Sequence, residues 1–218
     1  MLNIQSLVFN PFQENTYIIW DDKSKEAAII DPGCFNTSEQ NELCSFIDQM
    51  GLKPALLLNT HAHIDHILGN AFVKSRFDIP LHLNQKDLPV LHSLSNVAMM
   101  YGVPATPSPE PDIYLDDGHT FTIGRYGFSV LFVPGHSPGS LAFYQPEHKF
   151  LISGDVLFHQ SIGRTDLPGG DYAVLMNSIQ NKLLHLPKDT IVYSGHGQTT
   201  TIGYEQKNNP FILEYLRT

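Results

Sequence analysis

Short runs rich in β-branched and aromatic residues at 2–9 (LNIQSLVF), 16–20 (TYIIW) and 27–30 (AAII) predict a β-meander, with Pro11 and the Asp21-Asp22 turn between strands. Asp31-Pro32-Gly33 stops the third strand. Ser38 then offers an N-cap for a helix reaching Met50, and Gly51 ends it. Residues 55–59 (ALLLN) form a continuous apolar run, the pattern of a strand buried on both faces. The pattern next predicts a helix over 66–76, a strand over 79–83 and a helix over 84–101. Residues 102–112 hold four prolines and read as a stiff loop. Beyond it come strands at 119–123, 128–133, 140–144 and 149–153, a helix at 171–185, a strand at 190–194 and a helix at 204–216. Strands and helices interleave throughout, which predicts a layered α/β fold.

Composition narrows the class. The 218 residues suit one domain, taken as 1–218, and 42% hydrophobic content supplies a core. The net charge of −9 and the lack of a basic patch speak against nucleic acid and anionic membranes as partners. Neither a secretory leader nor an apolar run of bilayer length is evident, so a cytoplasmic protein is expected. Cys34 and Cys44 are too few for a disulfide framework and read as reduced thiols. Eleven histidines in so short a chain are the conspicuous excess.

Four apolar strands end alike. ALLLN runs into Thr60-His61, FSVLFVP into Gly135-His136, KFLIS into Gly154-Asp155, and DTIVYS into Gly195-His196. Sites in α/β folds gather at the carboxyl ends of buried strands. The sharpest signal is His61-Ala62-His63-Ile64-Asp65-His66, a combination expected by chance about 0.002 times in a chain of this composition. His61 and His63, two apart on extended backbone, face one side, whereas Asp65 and His66 turn toward a second point. One ion cannot comfortably take all four ligands from so short a segment, but two adjacent ions can. The other histidines, at 82, 92, 119, 148, 159 and 185, lack the strand-end context and read as ordinary surface or core residues, with His159 the nearest to an exception.

The HxHxDH stretch, followed by Gly-His, Gly-Asp and Gly-His, resembles the metallo-β-lactamase superfamily. Within it, the chain is most similar to the small single-domain hydrolases of the glyoxalase II (hydroxyacylglutathione hydrolase) group, over about residues 2–213, including Gly163-Arg164-Thr165-Asp166 and Asn209-Pro210-Phe211. The resemblance implies an αββα sandwich, two mixed sheets packed face to face with helices outside. It also implies two metal sites: His61, His63 and His136 for one ion, Asp65, His66 and His196 for the other, and Asp155 bridging both. Zinc fits this donor set, as do iron and manganese. Asp65 doubles as the catalytic candidate.

Such a centre would deprotonate a bridging water near neutral pH, and the hydroxide would attack an acyl carbon. A thioester, whose thiolate leaves without protonation, is the expected substrate class, with S-lactoylglutathione as the example. A small homo-oligomer or a monomer is expected. The resemblance also carries departures. Glyoxalase II enzymes with a C-terminal helical domain hold the glutathione carboxylate through a Lys and a Tyr, and Arg164 and Asp166 stand in those places here. Arg164 is therefore a candidate for meeting an anionic substrate tail, or else pins its loop by pairing with Asp166. The Gly-Arg-Thr-Asp run is shared with persulfide dioxygenases, which use one iron, so that oxidation is the rival expectation; a lactone or other ester hydrolase is the third.

Overall fold

The computed structural model describes residues 1–217. The first sheet is built from β1 (Leu2–Phe9), β2 (Glu14–Asp21), β3 (Glu26–Ile30), β4 (Lys53–Leu58), β5 (Leu81–Leu83) and β6 (Ile113–Tyr114), in that spatial order. The meander β1–β2–β3 is antiparallel, and β4, β5 and β6 then add in parallel. The second sheet begins with β7 (Thr120–Ile123), β8 (Tyr126–Phe132), β9 (Leu141–Gln145) and β10 (Phe150–Gly154). After a small hairpin of β11 (Leu157–Phe158) and β12 (Ser161–Ile162), it is completed by β13 (Ile191–Ser194) and β14 (Thr200–Thr201). Its spatial order is β14-β13-β10-β9-β8-β7, with β10 and β13 the parallel pair.

Strand alternation makes the layers. On β2, Tyr17 and Ile19 point between the sheets and meet Phe128, Phe143 and Ile152 of the second sheet. Ile18 and Trp20 point the other way, under α1 (Thr37–Met50) through Leu43 and Ile47. Leu58 and Leu57 of β4 divide in the same manner, so the apolar run at 55–59 is buried on both faces as expected. The outer face of the second sheet is covered by α6 (Tyr172–Ser178), α7 (Ile202–Asn208) and α8 (Pro210–Tyr215). The result is the αββα sandwich. A fourth apolar cluster joins α2 (Ile64–Ile67) to α4 (Leu88–His92) and α5 (Leu94–Tyr101), forming a roof beside the strand ends.

Several long helices of the sequence reading are broken, each for a local reason. The 66–76 segment divides into α2 and α3 (Asn70–Phe77), because Gly69 gives its N–H to Pro32 O at 2.7 Å. The 84–101 segment divides into a 3-10 turn at Gln85–Asp87, α4 and α5, hinged at Ser93, whose hydroxyl bonds Val90 O. The 204–216 helix is two helices, since Pro210 starts α8 and Asn209 caps it from an extended conformation. The 171–185 helix passes from α6 into a π-helical turn at Ile179–Leu183. Asn36, not Ser38, caps α1, accepting from Glu39 N at 3.0 Å. Among the described residues, no helix is long and apolar enough to cross a membrane.

Candidate metal centre

All four strand ends singled out in the sequence converge at one edge of the sandwich. His61 follows β4, His136 follows β8, Asp155 follows β10 and His196 follows β13. Two glycines permit the approach. A Cβ on Gly195 would strike Asp155 Oδ1, and Gly154 turns in the left-handed region at φ 50°, where a Cβ would strike Thr60.

Among the described residues three trios have donor atoms within 4.8 Å of one another; two are made of the ligand candidates, and the third, Asp31 with His61 and His66, lies between them. In the first, His63 Nδ1 is 2.8 Å and His61 Nε2 is 3.3 Å from His136 Nε2. In the second, Asp65 Oδ2 stands 3.0 Å from His196 Nε2 and 3.6 Å from His66 Nε2. Asp155 reaches both: its Oδ1 is 3.4 Å from His66 Nε2, and its Oδ2 is 3.5 Å from His196 Nε2 and 3.6 Å from His136 Nε2. The seven residues of the sequence reading are all here.

The far nitrogen of most of these rings is anchored, which turns the other nitrogen inward. His136 Nδ1 donates to Arg164 O at 2.8 Å, and His196 Nδ1 to Gln13 O at 3.2 Å. His61 Nδ1 sits 3.0 Å from Thr60 Oγ1, which itself donates to Asp31 Oδ2 at 2.6 Å. His66 Nδ1 lies 3.1 Å from the same Asp31 oxygen. Asp31 therefore supports a ligand candidate in each trio. It adopts the left-handed conformation at φ 50°, a strained placement for a non-glycine residue that aims its carboxylate at the site. The sequence reading took Asp31-Pro32-Gly33 only as a strand stop, yet a polar residue just past a buried strand was the same signal used for the others.

Asp87 is a second residue that the sequence reading did not find. Its buried carboxylate accepts from Ala62 N at 2.7 Å, Ser137 Oγ at 2.7 Å and Gly139 N, clamping the His61–His63 segment to the loop that carries His136. Nothing in its sequence context, Gln-Lys-Asp-Leu, marks it.

The electrostatics divide the trios. Burial, reinforced by neighbouring imidazoles, pushes His61 well below the usual imidazole range and His63 down to about 3. Burial opposes the charged form of His66 too, but Asp65, Asp155 and Asp31 outweigh it and raise that ring well above its usual value. His196 is likewise raised to about 10, because hydrogen bonds to Asp155 and Asp65 overcome its burial. Asp155 is held well below the usual carboxylate range: burial alone would raise it, and His66 and His196 reverse the sign.

A metal fits these residues. His66 Nε2 and Asp155 Oδ1 are buried, face each other and have no hydrogen-bond partner. The inward nitrogens of His61, His63 and His136 crowd one point. Borderline nitrogen and oxygen donors in this ratio suit divalent zinc, iron or manganese.

Above the centre opens a cavity of about 710 Å³, with His63, Asp65, His136, Asp155 and His196 on its floor. Arg164 is on the wall, but its guanidinium forms a two-point pair with Asp166, Nε to Oδ1 and Nη2 to Oδ2, both 2.7 Å. His159 is not part of the centre; it stacks on Tyr204 and lies 3.7 Å from Glu205.

An αββα sandwich carrying a histidine–aspartate centre at its strand ends defines a class of metal-dependent hydrolases. The model of the metallo-β-lactamase superfamily matches residues 9–196, and the chain belongs to that superfamily. It is 40% identical over 213 residues to the hydroxyacylglutathione hydrolase GloC of Haemophilus influenzae, covering 97% of this chain and 98% of that one. Two solved structures superpose closely. One, titled BLEG-1 B3 metallo-β-lactamase, has a TM-score of 0.88 at 43% identity, covering 96% of this chain and 99% of that one. The other, TTHA1623 in a di-iron-bound form, has a TM-score of 0.85 at 39% identity, covering 95% of this chain and 99% of that one.

Proposed function

We propose that this superfamily hydrolase is a dinuclear enzyme that cleaves thioesters, the class to which S-lactoylglutathione belongs. The observation that carries the reading is the position of Asp155, whose two oxygens reach from His66 to His136 across the two trios. His61, His63 and His136 would hold one divalent ion, Asp65, His66 and His196 the other, and Asp155 both. Bound there, the pair of ions would supply an acidified water as nucleophile and a positive centre for the developing oxyanion.

The chain's own residues do the rest. Asp31 and the carbonyls of Arg164 and Gln13 hold the rings in the tautomer that turns a nitrogen inward. Asp65, ionised and facing the cavity, is placed to orient the attacking water and accept its proton. The walls above are largely apolar and keep bulk water from the reacting bond. Among the described residues their one guanidinium, on Arg164, is held protonated still more firmly by Asp166 and gives no proton to a leaving group. A thiolate leaves without a proton and an amine does not, which favours a thioester over an amide.

The complete second trio supports two ions rather than the single iron of a persulfide dioxygenase, and the di-iron form of TTHA1623 agrees with that choice. The likeness to BLEG-1 makes β-lactam hydrolysis the second reading. A steady-state comparison tests the pair: the metal-loaded protein is expected to cleave a lactoyl thioester far faster than nitrocefin, and equal efficiencies would overturn the preference.

A further inference from the structure

We infer that the thiol arm of the substrate is apolar and uncharged, so that the cavity selects an aromatic or aliphatic thioester over a glutathione conjugate. This rests on the thioester reading of the same site. At about 710 Å³ the cavity is of ordinary size for a small-molecule site. Its roof comes from α4 and α5, which present Val90, Leu94 and Val97, and Tyr101 closes one end by packing edge-to-face on Phe12 with ring centroids 5.2 Å apart. Phe158 and Leu167 add further apolar lining.

Glutathione carries two carboxylates and an ammonium, each of which needs a partner if it is to leave water. Among the described residues lining the cavity, Arg164 alone bears a guanidinium or ammonium. Its Nε–Nη2 edge is paired with Asp166, whose carboxylate is held down to about 2 by that guanidinium and so keeps its charge at neutral pH, offsetting the positive charge of Arg164. A substrate carboxylate would have to share this one guanidinium with the Asp166 carboxylate or displace it, and in either case lie beside that negative charge. An apolar arm meets no such obstacle, and each methylene placed on these walls improves discrimination.

Three thioesters with one acyl group decide the matter: S-benzyl thiolactate, S-methyl thiolactate and S-lactoylglutathione, each assayed with the metal-loaded protein. The expected order of kcat/KM is benzyl, then methyl, then glutathione, with benzyl about tenfold or more above methyl. Asp166→Asn, which frees the guanidinium on an exposed loop, is expected to improve the glutathione conjugate severalfold and leave the benzyl–methyl ratio unchanged. Fastest turnover of the glutathione conjugate, or equal benzyl and methyl rates, would overturn the inference. If none of the three is cleaved, the thioester reading itself fails. Calorimetry with benzyl mercaptan and glutathione then tests the walls separately, since both offer the same sulfur to the floor. Tighter benzyl mercaptan binding supports the apolar selection, and equal or tighter glutathione binding refutes it.

Discussion

Asp31 Oδ2 lies 3.1 Å from His66 Nδ1, and the same oxygen receives the Thr60 hydroxyl that meets His61. One carboxylate thus orients a ring in each trio. Asp31→Ala removes the acceptor from His66 and frees the Thr60 hydroxyl that orients His61, and supporting residues of this kind are worth about 10–100-fold in metal affinity. A competition titration with a chromogenic chelator is expected to show weakened retention of both ions. Unchanged affinity would mean that the contact is incidental.

Asp87 makes a contrasting prediction, because it touches no ring. Asp87→Ala strands the Ala62 and Gly139 amides and the Ser137 hydroxyl in a buried place. A buried donor left without a partner costs about 1–3 kcal/mol, so a fall of several degrees in melting temperature is expected. Metal loss should fall more heavily on the His61–His63–His136 trio than on the other. Thermal melts with metal analysis of the variant check both parts.

The pH dependence of the metal-free protein follows from the divided electrostatics. His196 is raised to about 10, from about 6.5 in an unfolded chain, so the folded state holds the extra proton between those values. Its contribution to stability is therefore complete below about 6.5 and lost as the pH rises through about 10. Asp155 and His63 act on the other side: both are lowered, so their contributions disappear on acidification. The metal-free protein is expected to melt highest near neutrality and to weaken toward pH 10. Metal loading, which replaces the proton on His196, should flatten that alkaline decline. Melting curves across pH, with and without metal, provide the test, and a metal-free protein that gains stability toward pH 10 would contradict the charge assignment.

Most of the centre was legible because its residues share one local rule, a polar side chain within a few residues of the end of a buried strand. That rule finds His61, His136, Asp155 and His196, and the HxHxDH run supplies the rest. It also applies to Asp31, which was missed because Pro32 and Gly33 make the same segment look like a plain turn. Asp87 was invisible for a deeper reason: its role depends on three partners from two distant loops. The layered fold followed from strand and helix alternation, but helix lengths did not. The reading of 204–216 as one helix passes over Pro210, a local break signal, whereas the break at Gly69 depends on the Pro32 carbonyl from another segment. The Arg164–Asp166 pair was foreseeable from spacing, but the apolar roof that gives it meaning required α4 and α5 to fold over the strand ends.

The central claim is a centre of two ions bridged by Asp155, and metal content measures it most directly. Protein isolated without added metal, analysed by inductively coupled plasma mass spectrometry, is expected to carry about two divalent ions per chain. Asp155→Ala should lose most of both, together with thioester cleavage, while the remote His92→Ala retains them. One iron per chain with substrate-dependent oxygen uptake, or an Asp155→Ala variant that keeps both ions and near-normal turnover, would contradict the account.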